Sequence, residues 1–211
     1  PAGFDPAKQY PVVLNVHGGP HTQYGETYFD EAQFQAAAGF VVLMSNPRGG
    51  SGREQAWGQA IMGPQHPVAP GSGWGGVDVD DVMAVLDTTL ARYPFCDAAR
   101  VGMQGGSYGG YMVAWMNGHL PKGRYAAYIC HAGCFDWTAM FADDAWSWHA
   151  KELGGWYWDD MARVQAQSPH AFAATMHTPT LVIHGALDYR VPDAQGLAYY
   201  NTLRARGIPS R

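Results

Sequence analysis

A chain of 211 residues with a net charge of −5 suits one domain with a sizeable core, and without a run of Lys or Arg it excludes nucleic acid and anionic membrane as expected partners. A small neutral molecule or a peptide is the expected substrate. No apolar stretch is long enough to span a bilayer, the N-terminal PAGFDPAKQYP has no signal-peptide pattern, and Cys96, Cys130 and Cys134 are too few for a disulfide framework and are expected as buried free thiols.

Short apolar runs then alternate with helical patterns. Val12 to Val16 reads as a strand, Asp30 to Ala38 as a helix and Val41 to Ser45 as a second strand. Asn46 to Gly76, crowded with Gly and Pro, reads as a long surface loop. A helix follows over Asp78 to Arg92, with Val82, Val85, Leu86 and Thr89 on one side. Strands are expected at Val101 to Gln104, Tyr125 to His131 and Thr180 to His184, with a helical run starting near Tyr111. The segment Phe135 to Asp160 concentrates tryptophans without periodicity and reads as an excursion covering something. A last helix over Asp193 to Arg206 reaches Gly207, a C′ residue, and then Ile208 and Pro209 as if entering another strand. Strands alternating with helices predict an α/β fold, a mostly parallel sheet covered on both faces, in a single domain over residues 1–211.

The chemistry lies at Gly105-Gly106-Ser107-Tyr108-Gly109. A G-x-S-x-G placed after a strand and before a helix is a nucleophile elbow, in which the sharp turn strains the serine and leaves no room for a Cβ on its neighbours. The Tyr108 amide, at the start of the helix, then aims at a developing oxyanion. His17-Gly18-Gly19-Pro20 after the first strand is expected to bring a second donor, the Gly19 amide. Asp188 follows the fifth strand and is the expected acid of a triad. Trp137, Trp146 and Trp158 are expected to line an acyl or side-chain pocket. Arg48, Arg53 and Arg190 fit loop-to-carboxylate ties better than ligand binding. No metal-ligand spacing occurs and no cofactor is expected; the turn at Gly105 to Gly110 is neither a Walker loop, which needs Gly-Lys-Ser/Thr, nor G-x-G-x-x-G.

Together, His17-Gly-Gly-Pro20, Asn46-Pro-Arg-Gly-Gly-Ser-Gly52, Trp74-Gly-Gly76 with Asp81, Gly105-Gly-Ser-Tyr-Gly-Gly-Tyr111, Ser168-Pro169 and His184-Gly-Ala-Leu-Asp-Tyr-Arg-Val-Pro192 resemble the prolyl oligopeptidase family, in particular its acylaminoacyl-peptidase and dipeptidyl-peptidase branches. The resemblance runs from Tyr10 to Arg206. It implies an α/β-hydrolase catalytic domain cleaving peptide, acyl-peptide or ester bonds through an acyl-enzyme on Ser107, with Asp188 as a second triad member. It also implies a histidine beyond the aspartate, after the last strand, and no histidine follows His184. The domain is therefore expected to lack its last strand and helix, and the exposed sheet edge to favour association into a homo-oligomer. Family members usually carry an N-terminal β-propeller, and none is expected within residues 1–211. His17 is expected to orient the oxyanion loop, and His131 and His184 to be structural. Two other readings remain open: a catalytically impaired hydrolase-like interaction module, and an acyltransferase using the same elbow.

Overall fold

A computed structural model describes residues 1–211. Its centre is a five-stranded sheet, β1 (Tyr10–Val16), β2 (Val41–Met44), β3 (Cys96–Gly106), β4 (Ala127–His131) and β5 (Thr180–Ile183), in the order β2-β1-β3-β4-β5. Every neighbouring pair is parallel, with Val12 beside both Val41 and Val101. Parallel pairing requires crossovers, and the chain supplies them as helices. These are α1 (Asp30–Ala37), the short α2 (Gln55–Gln59), α3 (Val77–Arg92), α4 (Tyr108–His119), the short α5 (Trp146–Leu153) and α6 (Met161–Ala166), and α7 (Asp193–Ala205). None is long and apolar enough to cross a membrane.

One face of the sheet carries the core. Val12, Leu14 and Val16 of β1 are essentially inaccessible, as are Met112, Val113 and Met116 of α4. Every residue of α4 from Tyr108 to Gly118 is buried, as expected of a helix that is apolar all round. It lies against β1, β3 and β4 and is capped from outside by the 3-10 segment Pro169–Thr175. Near its far end Asn117 ties three elements together. Its Nδ2 donates to the Tyr199 hydroxyl of α7 at 2.9 Å, and its Oδ1 accepts from the amides of His177 and Thr178, just before β5.

The other face is much barer. α1 alone packs there, joined to it by Asn15 Nδ2 donating to Gln35 at 3.0 Å and by Gln104 donating to Glu31. Ile129, His131 and Ile183 line a cavity of about 480 Å³ on this side, and Ile183 is 46% exposed.

Two expectations from sequence need correction. The Asn46 to Gly76 segment is not a superficial loop, since it contains α2 and buries Ile61, Met62 and Trp74 in the core. Its glycines allow close turns, and its apolar residues are too sparse to register as an element. The edge beyond β5 is also partly occupied by the chain itself: Thr180 and Val182 amides donate to the Pro209 and Arg211 carbonyls at 3.1 and 2.8 Å. The turn into that pairing is a Schellman motif, with Gly207 at φ 70° and the Gly207 and Ile208 amides donating back to Arg204 and Leu203.

Candidate active site

Ser107 stands between β3 and α4 at φ 58°, ψ −117°, a left-handed backbone that a non-glycine residue adopts only where its surroundings enforce it. The enforcement is visible. The Ser107 amide donates to the His131 carbonyl at 2.9 Å, its carbonyl accepts from Tyr111 at 2.9 Å, and a methyl built on Gly109 would overlap the Val16 carbonyl. The Tyr108 amide, first in α4, has no carbonyl one turn behind it within the helix. The Tyr108 ring points the other way, into the core, where its hydroxyl donates to Asp78 Oδ2 at 2.6 Å. Asp78, at the start of α3, also accepts from the Gly75 and Val79 amides. Burial pushes the Asp78 carboxyl above the usual carboxylate range and the Tyr108 hydroxyl well above the usual phenol range.

Gly18 and Gly19 follow β1 and lie alongside the elbow: a Cβ on Gly18 would sit 3.4 Å from the Ser107 Cβ. Gly19 has φ 114°, so a side chain there would be strained and would crowd the His21 amide. The loop is held by its own bonds, Thr22 Oγ1 donating to Gly18 O at 2.9 Å and His17 Nδ1 lying 2.7 Å from the same oxygen. Burial holds the His17 imidazole below the ordinary histidine range.

Gly19 and Ser107 open onto one cavity of about 370 Å³, walled by Trp74, Trp148, Asp143 and Arg190 among others. The Arg190 guanidinium is fixed by Asp144, with Nε 2.6 Å from Oδ1, while the Asp144 amide donates to the Tyr189 carbonyl. This double tie joins the loop after β5 to the aromatic excursion. Arg48 grips Asp81 through Nε and a terminal nitrogen at 2.8 and 2.7 Å, and Arg53 lies over the Trp57 ring.

Asp188 sits on the same loop as Arg190. Its Oδ1 accepts from the Arg190 and Val191 amides at 3.0 and 2.9 Å. Its Oδ2 lies 3.7 Å from His184 Nε2, which is engaged at 2.7 Å by the Val191 carbonyl. His184 therefore braces the loop. No histidine walls the Ser107 cavity. His131 is on the barer face of the sheet, and His149 is buried behind the cavity wall, paired with Asp143 at 2.8 Å. No three His, Cys, Asp or Glu side chains converge as metal ligands. The three cysteines are free and buried, and burial pushes the Cys130 thiol up to about 12.

The aromatic wall differs from the expected one. Trp137 is 1% exposed, packed edge-on against Trp74 at 4.9 Å inside the core. Trp146 and Trp158 are more than half exposed and cluster with Trp156 and Phe141 on the outer surface. Trp74 and Trp148 take the cavity positions instead. The excursion is built of a 3-10 turn and a two-turn helix, too short for periodicity to reveal which ring faces inward. Trp74 was visible only as part of the Trp-Gly-Gly motif.

Comparisons with known proteins bear on the family and the fold. An uncharacterized peptidase of Bacillus subtilis (strain 168), YuxL, is 35% identical over 209 residues, covering 98% of this chain and 30% of that protein. Dipeptidyl-peptidase 5 of Porphyromonas gingivalis is 33% identical over 217 residues, covering all of this chain and again 30% of its own length. The chain thus spans under a third of these curated relatives. A solved acylaminoacyl peptidase in complex with Z-Gly-Gly-Phe-chloromethyl ketone superposes with a TM-score of 0.88 at 28% identity, over 98% of this chain and 32% of that one. With residues 26–211 matching the family's sequence pattern, and the α/β-hydrolase sheet and elbow in place, this chain belongs to the prolyl oligopeptidase family.

Proposed function

We propose that the chain is the catalytic domain of a serine hydrolase that cleaves peptide, acyl-peptide or ester bonds through an acyl-enzyme on Ser107. The observation that carries this reading is the left-handed Ser107 opening with Gly19 onto one cavity, a strained arrangement with no structural use of its own. Ser107 Oγ attacks the carbonyl, and the oxyanion takes hydrogen bonds from the Tyr108 and Gly19 amides, each worth about 3 kcal/mol of barrier. Asp188 has one oxygen fixed by backbone amides and the other without a short partner, which suits a carboxylate that orients an imidazole. That imidazole is contributed from outside these 211 residues, a reading supported by the absence of histidine from the cavity wall and by relatives about three times as long. It takes the Ser107 proton and returns it to the leaving amine or alcohol.

The test is turnover of a p-nitrophenyl ester by the polypeptide with its natural downstream residues, beside its Ser107→Ala variant and the 211-residue chain. Turnover abolished by Ser107→Ala and lower by about a million-fold in the shorter chain is the expected pattern. Turnover that survives Ser107→Ala would remove the assignment. Equal rates in the long and short chains would place the base among the histidines present.

A further inference from the structure

His21 lies two residues beyond Gly19, and both of its ring nitrogens are engaged. Nδ1 is 2.7 Å from the Gly49 carbonyl and Nε2 is 3.2 Å from Glu152 Oε1. A carbonyl only accepts, so Nδ1 carries a hydrogen. The other oxygen of Glu152 accepts from the Trp74 indole at 3.1 Å, because an indole nitrogen only donates. A proton must then lie between Nε2 and Oε1, either on the imidazole or on the carboxyl. Glu152 has only 1% of its side chain accessible, whereas His21 is 35% accessible beside a cavity of about 350 Å³. Once that proton leaves, a lone pair on Nε2 faces a buried carboxylate that keeps Trp74 as its single side-chain donor.

The pair joins parts that are distant in sequence. Glu152 belongs to α5, and its own carbonyl accepts from the Gly63 amide at 2.6 Å. Gly49 belongs to the segment whose Ser51 amide donates to the Thr22 carbonyl at 2.9 Å. Trp74 is in the wall of the Ser107 cavity. One carboxylate thus holds the Gly19 loop from one side and an indole of the cavity wall from the other.

We propose that Glu152 and His21 are positioning residues, a proton-dependent clamp that fixes the Gly19 amide and Trp74 in the arrangement Ser107 requires. This rests on the reading of Ser107 as nucleophile and of Gly19 as oxyanion donor. The charged groups facing His21 are Glu152 and Lys151 on α5, and Arg53 and Glu54 across the shared cavity. Glu152 holds the His21 imidazole above the ordinary histidine value, with Lys151 acting weakly against it. A raised value keeps the clamp closed at acid and near-neutral pH and opens it as pH rises through the folded-state value.

The experiment is a pH titration of the full chain by NMR, following the His21 ring, the Gly19 amide and the Trp74 indole N–H, in the native protein and in Glu152→Gln. The glutamine can still accept from Trp74 but carries no charge. The expected result is a His21 midpoint above 6.5, with Gly19 and Trp74 moving at the same midpoint. In Glu152→Gln the His21 midpoint falls to 6.5 or below and the Gly19 transition follows it. A native midpoint at or below 6.5, or a Gly19 amide that does not move with His21, overturns the clamp. The native titration decides the matter even if the variant fails to fold. No turnover is needed, so failure here leaves the assignment of Ser107 standing, and failure of the ester assay leaves the titration intact.

Discussion

A single hydroxyl illustrates how the elbow is anchored. Tyr108 opens α4 and buries its ring, with the hydroxyl on the inaccessible Asp78. Tyr108→Phe removes that donor while preserving shape, leaves the carboxylate to two backbone amides, and costs about 1–3 kcal/mol; urea denaturation followed by tryptophan fluorescence reads the loss. The histidines set a pH dependence at the same scale. Burial lowers the His17 and His119 imidazoles, and His119 stacks on Trp115 at 3.9 Å. Their folded values lie below the unfolded one, so the unfolded chain binds more protons and stability declines as pH falls below the ordinary histidine value. His21 acts in the opposite sense, contributing stability that is lost as pH rises. Urea midpoints measured from neutral to mildly acid pH should fall, and fall less steeply in His119→Gln. None of these partnerships was legible in the sequence: His21 and Glu152 stand 131 positions apart, and no local pattern marks which histidine meets a carboxylate.

The elements were far more legible, because each strand is a run of apolar residues bounded by turn formers. The expected Val12 to Val16 and Thr180 to His184 differ from β1 and β5 only at their ends. β3 was underestimated, since Asp97 to Arg100 carry two charges and no large apolar side chain and largely face solvent while still belonging to the strand. α4 begins at Tyr108 rather than near Tyr111: Gly109 and Gly110 weaken the helical signal, yet close packing on Val16 and Gly133 demands them. Caps give tests at this scale. Asp160 accepts from the Arg163 amide at 3.0 Å at the start of α6, so Asp160→Ala costs about 1 kcal/mol. Gly207→Ala forces a Cβ into left-handed backbone and costs about 1 kcal/mol. Thermal melts of both variants measure these losses, and the two add because the sites share no partner.

Across the whole molecule the two sheet faces are unequal. One is sealed by α4, and the other leaves Ile129 and Ile183 lining an open cavity. We propose that two chains associate through this face or through the sheet edge, where β2 ends one side and residues 209–211 the other. Sedimentation velocity should give a coefficient that rises with concentration, and Ile183→Asp should abolish the rise if the face is used; a constant coefficient in the native chain would exclude both. The buried amide of Asn117 carries a different consequence. It is fastened to α7 and to the approach of β5, whereas Ser107 rides at the opposite end of α4, ten residues or about 15 Å away. Asn117 is thus the fulcrum of a stiff lever: a tilt of about 4° there displaces Ser107 by about 1 Å, enough to slow a reaction about a hundredfold. The position of the proposed nucleophile is set as much at the far end of its helix as at the turn that strains it.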